Sequence, residues 1–243
     1  MPVRALVGFG SLAAAAGLAH AGFRHADSEF NLTQQTFVEI DGGAATAEDD
    51  RHVQSRFSVD QDGPTGPYDF RDRGVLDTRL GSSRANLLTD TFKSLSLNQA
   101  EWRFGASGGA DADEDGNAFA DLNADYRLSF DAEADTELMV TLRLEIEDEG
   151  DAVQQAFVRL DGLSSPFELR YDRSGSFMAE LSLLITVQAG TSYQIEAGLA
   201  ASPDARRDAS FWSEMGVEVA LAPSPGTAAM LGLGGLLAAR RRR

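Results

Sequence analysis

Leu138-Met-Val-Thr-Leu-Arg-Leu-Glu-Ile-Glu147 decides the fold class. Leu138, Val140, Leu142, Leu144 and Ile146 alternate with Met139, Thr141, Arg143, Glu145 and Glu147. A period of two puts the first set on one face of a β-strand and the second on the other. The same rhythm returns on both sides of this stretch. Tyr126, Leu128 and Phe130 carry it before; Phe167, Leu169 and Tyr171 carry it after. It continues through Phe177 to Val187, through Tyr193, Ile195, Ala197 and Leu199, and through Val217, Val219 and Leu221. Turn residues fall between these runs at Glu149-Gly-Asp, Asp161-Gly, Arg173-Ser-Gly and Ala189-Gly-Thr. No long helical period intervenes, so parallel βαβ units are not expected. Strands with one apolar face belong to antiparallel sheets that are packed on one side and wet on the other. Two such sheets stacked on their apolar faces make an all-β, antiparallel two-sheet β-sandwich of jelly-roll or Greek-key type.

The region from Ser28 to Asn98 reads differently. Asp41 to Asp50 and Asp60 to Pro67 have loop composition, with a strand expected between them from His52 to Val59. Leu76 to Leu97 suits either a short helix or a pair of strands. Residues 28–98 are therefore expected to be irregular within one domain spanning 22–222. Val187-Gln-Ala-Gly-Thr-Ser-Tyr193-Gln-Ile resembles a hairpin common in bacterial surface β-sandwiches.

The chain has 243 residues, no cysteine and a formal net charge of −17. A domain of about 200 residues can bury a real core without disulfides or metals. Lack of cysteine removes thiol catalysis and thiolate metal sites. Residues 1–21 and 226–243 hold five arginines and no acid, leaving 16 basic and 38 acidic residues between them, a net of −22. Nucleic acid is excluded as a partner, because binding a polyanion requires a basic face.

Both ends read as processing segments. Met1-Pro-Val-Arg4 is followed by an uncharged run to Leu18 and by Ala19-His20-Ala21. One positive charge, an apolar run and an A-x-A site describe a secretory signal peptide over residues 1–21, with signal peptidase as the partner. At the other end Pro223, Ser224, Pro225, Gly226 and Thr227 precede an apolar Ala/Leu/Gly segment, then Arg240, Arg241, Arg242 and Arg243. The basic cluster would halt translocation and stay cytoplasmic. The apolar segment is shorter than the ~20 residues of a bilayer span, so it suits transient contact with the inner membrane. This layout over 223–243 resembles a PEP-CTERM sorting signal, in which Ser224 stands where the family has Glu. The resemblance implies an exosortase-like processing enzyme, export, and residence at the surface or in the extracellular matrix of a bacterium that makes exopolysaccharide.

Candidate chemistry is sparse. Asp111, Asp113, Asp115 and Asn117, with Gly116 at the sixth position, match the first half of an EF-hand-type calcium loop. The second half departs: Asp121 lies one place early and position 12 is Leu122. Calcium is the sole cofactor these residues suggest, and a solvated acidic loop between strands fits them better. Three histidines, His20, His25 and His52, with no G-x-S-x-G elbow, do not support a serine triad. A secreted glycoside hydrolase needs only two placed carboxylates, and acids abound, but abundance is not placement. Exposed aromatics could serve as sugar platforms: Trp102, Phe211, Trp212 and Tyr68 are the candidates. Trp102 is expected in the core; Trp212, after the charged run Asp204 to Asp208, is the expected ligand-binding residue. The sequence thus favours a non-catalytic structural or adhesive protein associated with exopolysaccharide. A carbohydrate-binding module and a glycoside hydrolase are the alternatives.

Overall fold

A computed structural model describes residues 23–60, 62, 67–112, 116–132, 134–149, 152–163, 167–172, 175–205 and 209–222. The signal and tail segments, with the sorting-motif residues, lie outside them. Among the described residues twelve strands form two antiparallel six-stranded sheets. In chain order they are β1 (Phe23–Ile40), β2 (Ala45–Asp60), β3 (Tyr68–Leu80), β4 (Ser83–Leu95), β5 (Gln99–Asp111) and β6 (Asn117–Ala132). Then follow β7 (Thr136–Glu149), β8 (Ala152–Asp161), β9 (Phe167–Tyr171), β10 (Phe177–Val187), β11 (Ser192–Ala205) and β12 (Ala209–Leu221). One sheet, A, runs β2-β1-β6-β11-β8-β9, and the other, B, runs β10-β7-β12-β5-β4-β3.

This order settles the choice between jelly roll and other Greek keys. From β5 onward the chain pairs as a folded-over ribbon: β5 with β12, β6 with β11, β7 with β10 and β8 with β9. That is the eight-stranded jelly roll. β1 and β2 extend one sheet beyond β6; β4 and β3 extend the other beyond β5.

The expectation of irregular structure over 28–98 is thus corrected. β1 to β4 occupy that region as long strands of 18, 16, 13 and 13 residues. Their alternation is real but mixed in chemistry. In β1 the inward set contains Ser28, Gln34 and Thr36 beside Phe30, Leu32 and Val38, all buried. In β4 it contains Thr89, Thr91 and Lys93. Hydroxyls and an ammonium at core positions hid the period. The Val187–Tyr193 hairpin is also corrected. β10 and β11 lie in different sheets, so the turn crosses the sandwich. There Tyr193 Oη accepts from the Gln188 amide at 3.0 Å.

The core is centred on Trp102, fully buried as expected. Its ring stacks on Tyr126 at 4.7 Å with an interplanar angle of 1°, joining the two sheets. Full burial pushes the Tyr126 hydroxyl far above its ordinary pKa; the Ser28 hydroxyl approaches it without reaching hydrogen-bond geometry.

Lys93 bridges the extension strands. From β4 its Nζ donates to the carbonyls of Ser28 at 3.0 Å and Ser55 at 2.9 Å, and lies 4.3 Å from the Phe57 ring centroid. These bonds and the ring face replace water only in part, so burial lowers the Lys93 pKa to about 8, against the pull of Asp27 and Glu29. Between pH 8 and its ordinary 10.5 the unfolded chain holds the extra proton. Stability therefore rises with pH across that window and carries the full penalty below it. We expect urea unfolding of the wild type to show a gain on the order of 2 kcal/mol from pH 7.5 to 10.5. Lys93→Met should lack it; an equal rise in the variant would refute the assignment.

Candidate functional site

Strand parity puts Trp212 outside. In β12 the residues Ala209, Phe211, Ser213, Met215, Val217 and Val219 are buried, so their even-numbered neighbours face solvent. Trp212 is 36% exposed, and Phe211 is 4% exposed beneath it. Tyr68 is half-buried against Phe57, at 5.5 Å between ring centroids. Of the four candidate platforms, Trp212 alone stands clear.

Register then assembles a site around it. Val75 pairs with Leu88, Leu88 with Ser107, and Ser107 with Trp212. These four form one row across the outer face of sheet B, and its three large apolar members are exposed. The adjacent row reads Asp77, Asn86, Gly109, Ser210 and Glu149, each the Cα partner of the next. An apolar row thus lies beside a row of acid, amide and hydroxyl groups. A cleft of about 1010 Å³ opens over the second row and over Val75, Leu88 and Ser107 of the first; Trp212 stands next to Ser107, beside the cleft and outside its lining.

Glycine makes the cleft. A Cβ on Gly108 would lie 2.6 Å from Phe211 Cε1, 2.7 Å from Leu87 Cδ2 and 2.8 Å from the Asn86 carbonyl. On the outer face Gly109 leaves the trough between Asn86 and Ser210 free of a side chain. A glycine pair inside a strand marks such close approach. Gly108-Gly109 was the available sequence signal, and reasoning from aromatics alone passed over it, as it did Asn86, Asp77 and Ser210.

The cleft's charges are partly spoken for. Asp77 receives Arg84 Nε at 2.7 Å and Arg79 Nη2 at 2.9 Å, and both guanidiniums hold its carboxyl below the usual range. Asp77 and Glu149 stand four strand spacings apart, about 19 Å, well beyond the reach of a glycosidase pair. The cleft's third acid, Asp111, pairs across the strands with Arg84.

The outer face of sheet A is different. Arg56, Glu29, Arg127, Glu196, Arg159 and Glu168 are successive Cα partners, one per strand, alternating in sign. Glu196 is gripped from both sides, by Arg127 at 3.1 Å and Arg159 at 2.6 Å. Beside this ladder a second cleft of about 310 Å³ includes Asp125, Phe157 and Gly198. The Phe157 ring and the Asp125 carboxylate fill the space a Gly198 side chain would need. Loss of hydration there raises the Asp125 pKa, with Arg127 opposing and Glu196 reinforcing the rise.

Of the calcium candidates, Asp111, Asn117 and Asp121 are described. Asp111 ends β5 and Asn117 opens β6, on either side of the crossover between sheets. Asp113 and Asp115 lie outside the described residues. Asp121 sits in β6, four residues and about 13 Å along the strand from Asn117, and accepts a hydrogen bond from the Ser202 hydroxyl. Among the described residues no three acidic or histidine side chains are grouped to hold a metal.

No family model and no curated protein matches the chain. Among solved structures it is similar to the GH31 alpha-xylosidase of Xanthomonas citri, at 7% identity and a TM-score of 0.21 over 62% of this chain. The match spans 33% of the xylosidase, so the chain covers about a third of that enzyme's length. It is also similar to the VP2 subviral particle of infectious bursal disease virus, at 12% identity and a TM-score of 0.18, covering 91% of this chain and 75% of that one. Superpositions this loose carry no argument about function.

The core beneath the cleft leaves no room for a side chain at Gly108, and that tightness is measurable. We expect Gly108→Ala to cost about 1–3 kcal/mol in chemical denaturation, because Leu87, Phe211 and the Asn86 carbonyl must all yield to one methyl. An unchanged midpoint would mean that this part of the core is looser than described.

Proposed function

We propose that the chain is an exported bacterial surface or matrix protein whose acidic jelly roll holds exopolysaccharide in a structural or adhesive role. The observation that carries the reading is the cleft beside Trp212. Sugars present apolar C–H faces and hydroxyl edges together, and this cleft sets an apolar row directly beside a row of hydroxyl, amide and carboxylate groups. An exposed tryptophan supplies a large rigid contact at low entropic cost. A ligand of uncharged sugars fits best, since a protein of net charge −17 repels polyanions. The signal and sorting-tail features of the sequence support delivery to the place where such polymers accumulate. No catalytic step is part of the reading.

Two measurements test it. On a neutral polysaccharide affinity gel the wild type is expected to be retarded. Trp212→Ala should lose most of that retardation while its unfolding free energy stays within about 0.5 kcal/mol of wild type. Equal retardation of the two proteins would remove the cleft from the account. Delivery is tested separately, by the intact mass of the protein in membrane, surface and medium fractions of its host. A surface or medium species matching residues 22–222 is expected. A species that keeps Arg240 to Arg243 would end the sorting-tail reading.

A further inference from the structure

A β-sandwich has four sheet edges, and three of these are protected. β2 and β3 each carry six charged residues. β9 is five residues long and includes Glu168 and Arg170. Charge and brevity are the usual means by which an edge avoids pairing with another chain. The fourth edge is neither short nor rich in charge. β10, Phe177-Met-Ala-Glu-Leu-Ser-Leu-Leu-Ile-Thr-Val187, has 11 residues, no proline, no glycine and Glu180 as its one charge. It pairs with β7 on one side, and among the described residues no strand pairs with the other.

Both faces of β10 are also apolar and open. Met178 is 70% and Leu184 56% exposed on the outer face. On the inner face Phe177, Leu181 and Leu183 remain only partly covered. The opposing edge strand, β9, is too short to cover them; Phe177 meets Tyr171 at 5.6 Å and the rest of β10 runs past it.

We propose that β10 is the docking edge for a second copy of this chain, paired antiparallel about a two-fold axis through Ser182, so that two six-stranded sheets become one of twelve. A second copy fits this edge because the strand is self-complementary. Ser182 is the midpoint of Phe177–Val187, so an axis there pairs every residue of the strand. Inward residues then face inward ones: Phe177 opposite Val187 of the second copy, and Leu181 opposite Leu183. Outward residues match likewise, Met178 with Thr186 and Glu180 with Leu184. The two Glu180 side chains end up about 13 Å apart along the strand, so the one charge does not oppose itself. A C2 contact requires this kind of self-complementary patch.

The absence of cysteine makes the test clean. Full-length Ser182→Cys places two thiols directly opposite across the axis, within disulfide reach. Under mild oxidant it should give a covalent dimer. Met178→Cys alone should not, but mixed with Thr186→Cys it should. Sedimentation equilibrium in about 0.5 M salt, which screens the like charges, should show a dimer, and Leu184→Lys should weaken it at least tenfold. Both exposed sites tolerate substitution without unfolding, which circular dichroism checks. A wild type that stays monomeric at about 100 μM, far above the Kd of a stable dimer, would overturn the proposal. So would a dimer that Ser182→Cys does not cross-link, or cross-linking equally efficient through Met178→Cys alone.

Discussion

Every strand of this protein obeys one constraint: its inward residues must share a single slab between two sheets. A slip of one residue would turn the whole inward set out to solvent. The Trp102–Tyr126 stack sits where that constraint is tightest. Tyr126 belongs to β6 and Trp102 to β5, the two strands at which the jelly roll ends and the four-strand extension begins. The parity of β5 fixes which face of β4 and β12 points inward, and from there the cleft, the buried lysine and the exposed tryptophan all follow.

The same constraint explains what could be read from the sequence. β6, β7 and β9 to β12 carry apolar side chains at nearly every inward position, so a period of two was visible. Followed back from Val217 through Met215, it also decides between the neighbours Phe211 and Trp212, leaving the tryptophan outside. β1 to β4 obey the rule with Ser28, Gln34, Thr36, Thr89, Thr91 and Lys93 at inward positions. A hydropathy pattern cannot see those as core. They are tolerated because partners across the slab accept them. Thr36 and Thr78 hydroxyls meet at 2.6 Å, and the Thr89 hydroxyl donates to Gln34 Oε1 at 3.4 Å. Such pairings depend on strands distant in sequence. The cleft was hidden for the same reason, since its two rows draw on β3, β4, β5, β12 and β7 and exist only in register.

Charge does two separate jobs here. On sheet A the alternating row from Arg56 to Glu168 favours the register, because each arginine stands directly opposite a glutamate and a slip would part them. At the edges β2 and β3, charge discourages pairing. The strong net acidity adds a general repulsion between copies. Against that background an edge with one charge in 11 residues at β10 is not a by-product of composition, since acidic residues are plentiful everywhere else. Its sequence also keeps a mixed inward and outward pattern, unlike a strand merely awaiting burial.

Cleft and edge lie in the same sheet, and their placement links them. A two-fold axis perpendicular to sheet B at β10 puts both clefts on one continuous face, not on opposite sides. From β5 of one copy to β5 of the other there are seven strand spacings, about 34 Å. In the proposed dimer, a polysaccharide laid across that face would meet two equivalent clefts within the length of a short oligosaccharide run. Weak single contacts then combine, because the second is made at the high effective concentration set by a rigid sheet. Shallow open clefts bind sugars weakly one at a time. Doubling on one face is the arrangement by which such a surface could hold a polymer without enclosing it, and it makes a bare, self-complementary edge useful where a charged one would not be.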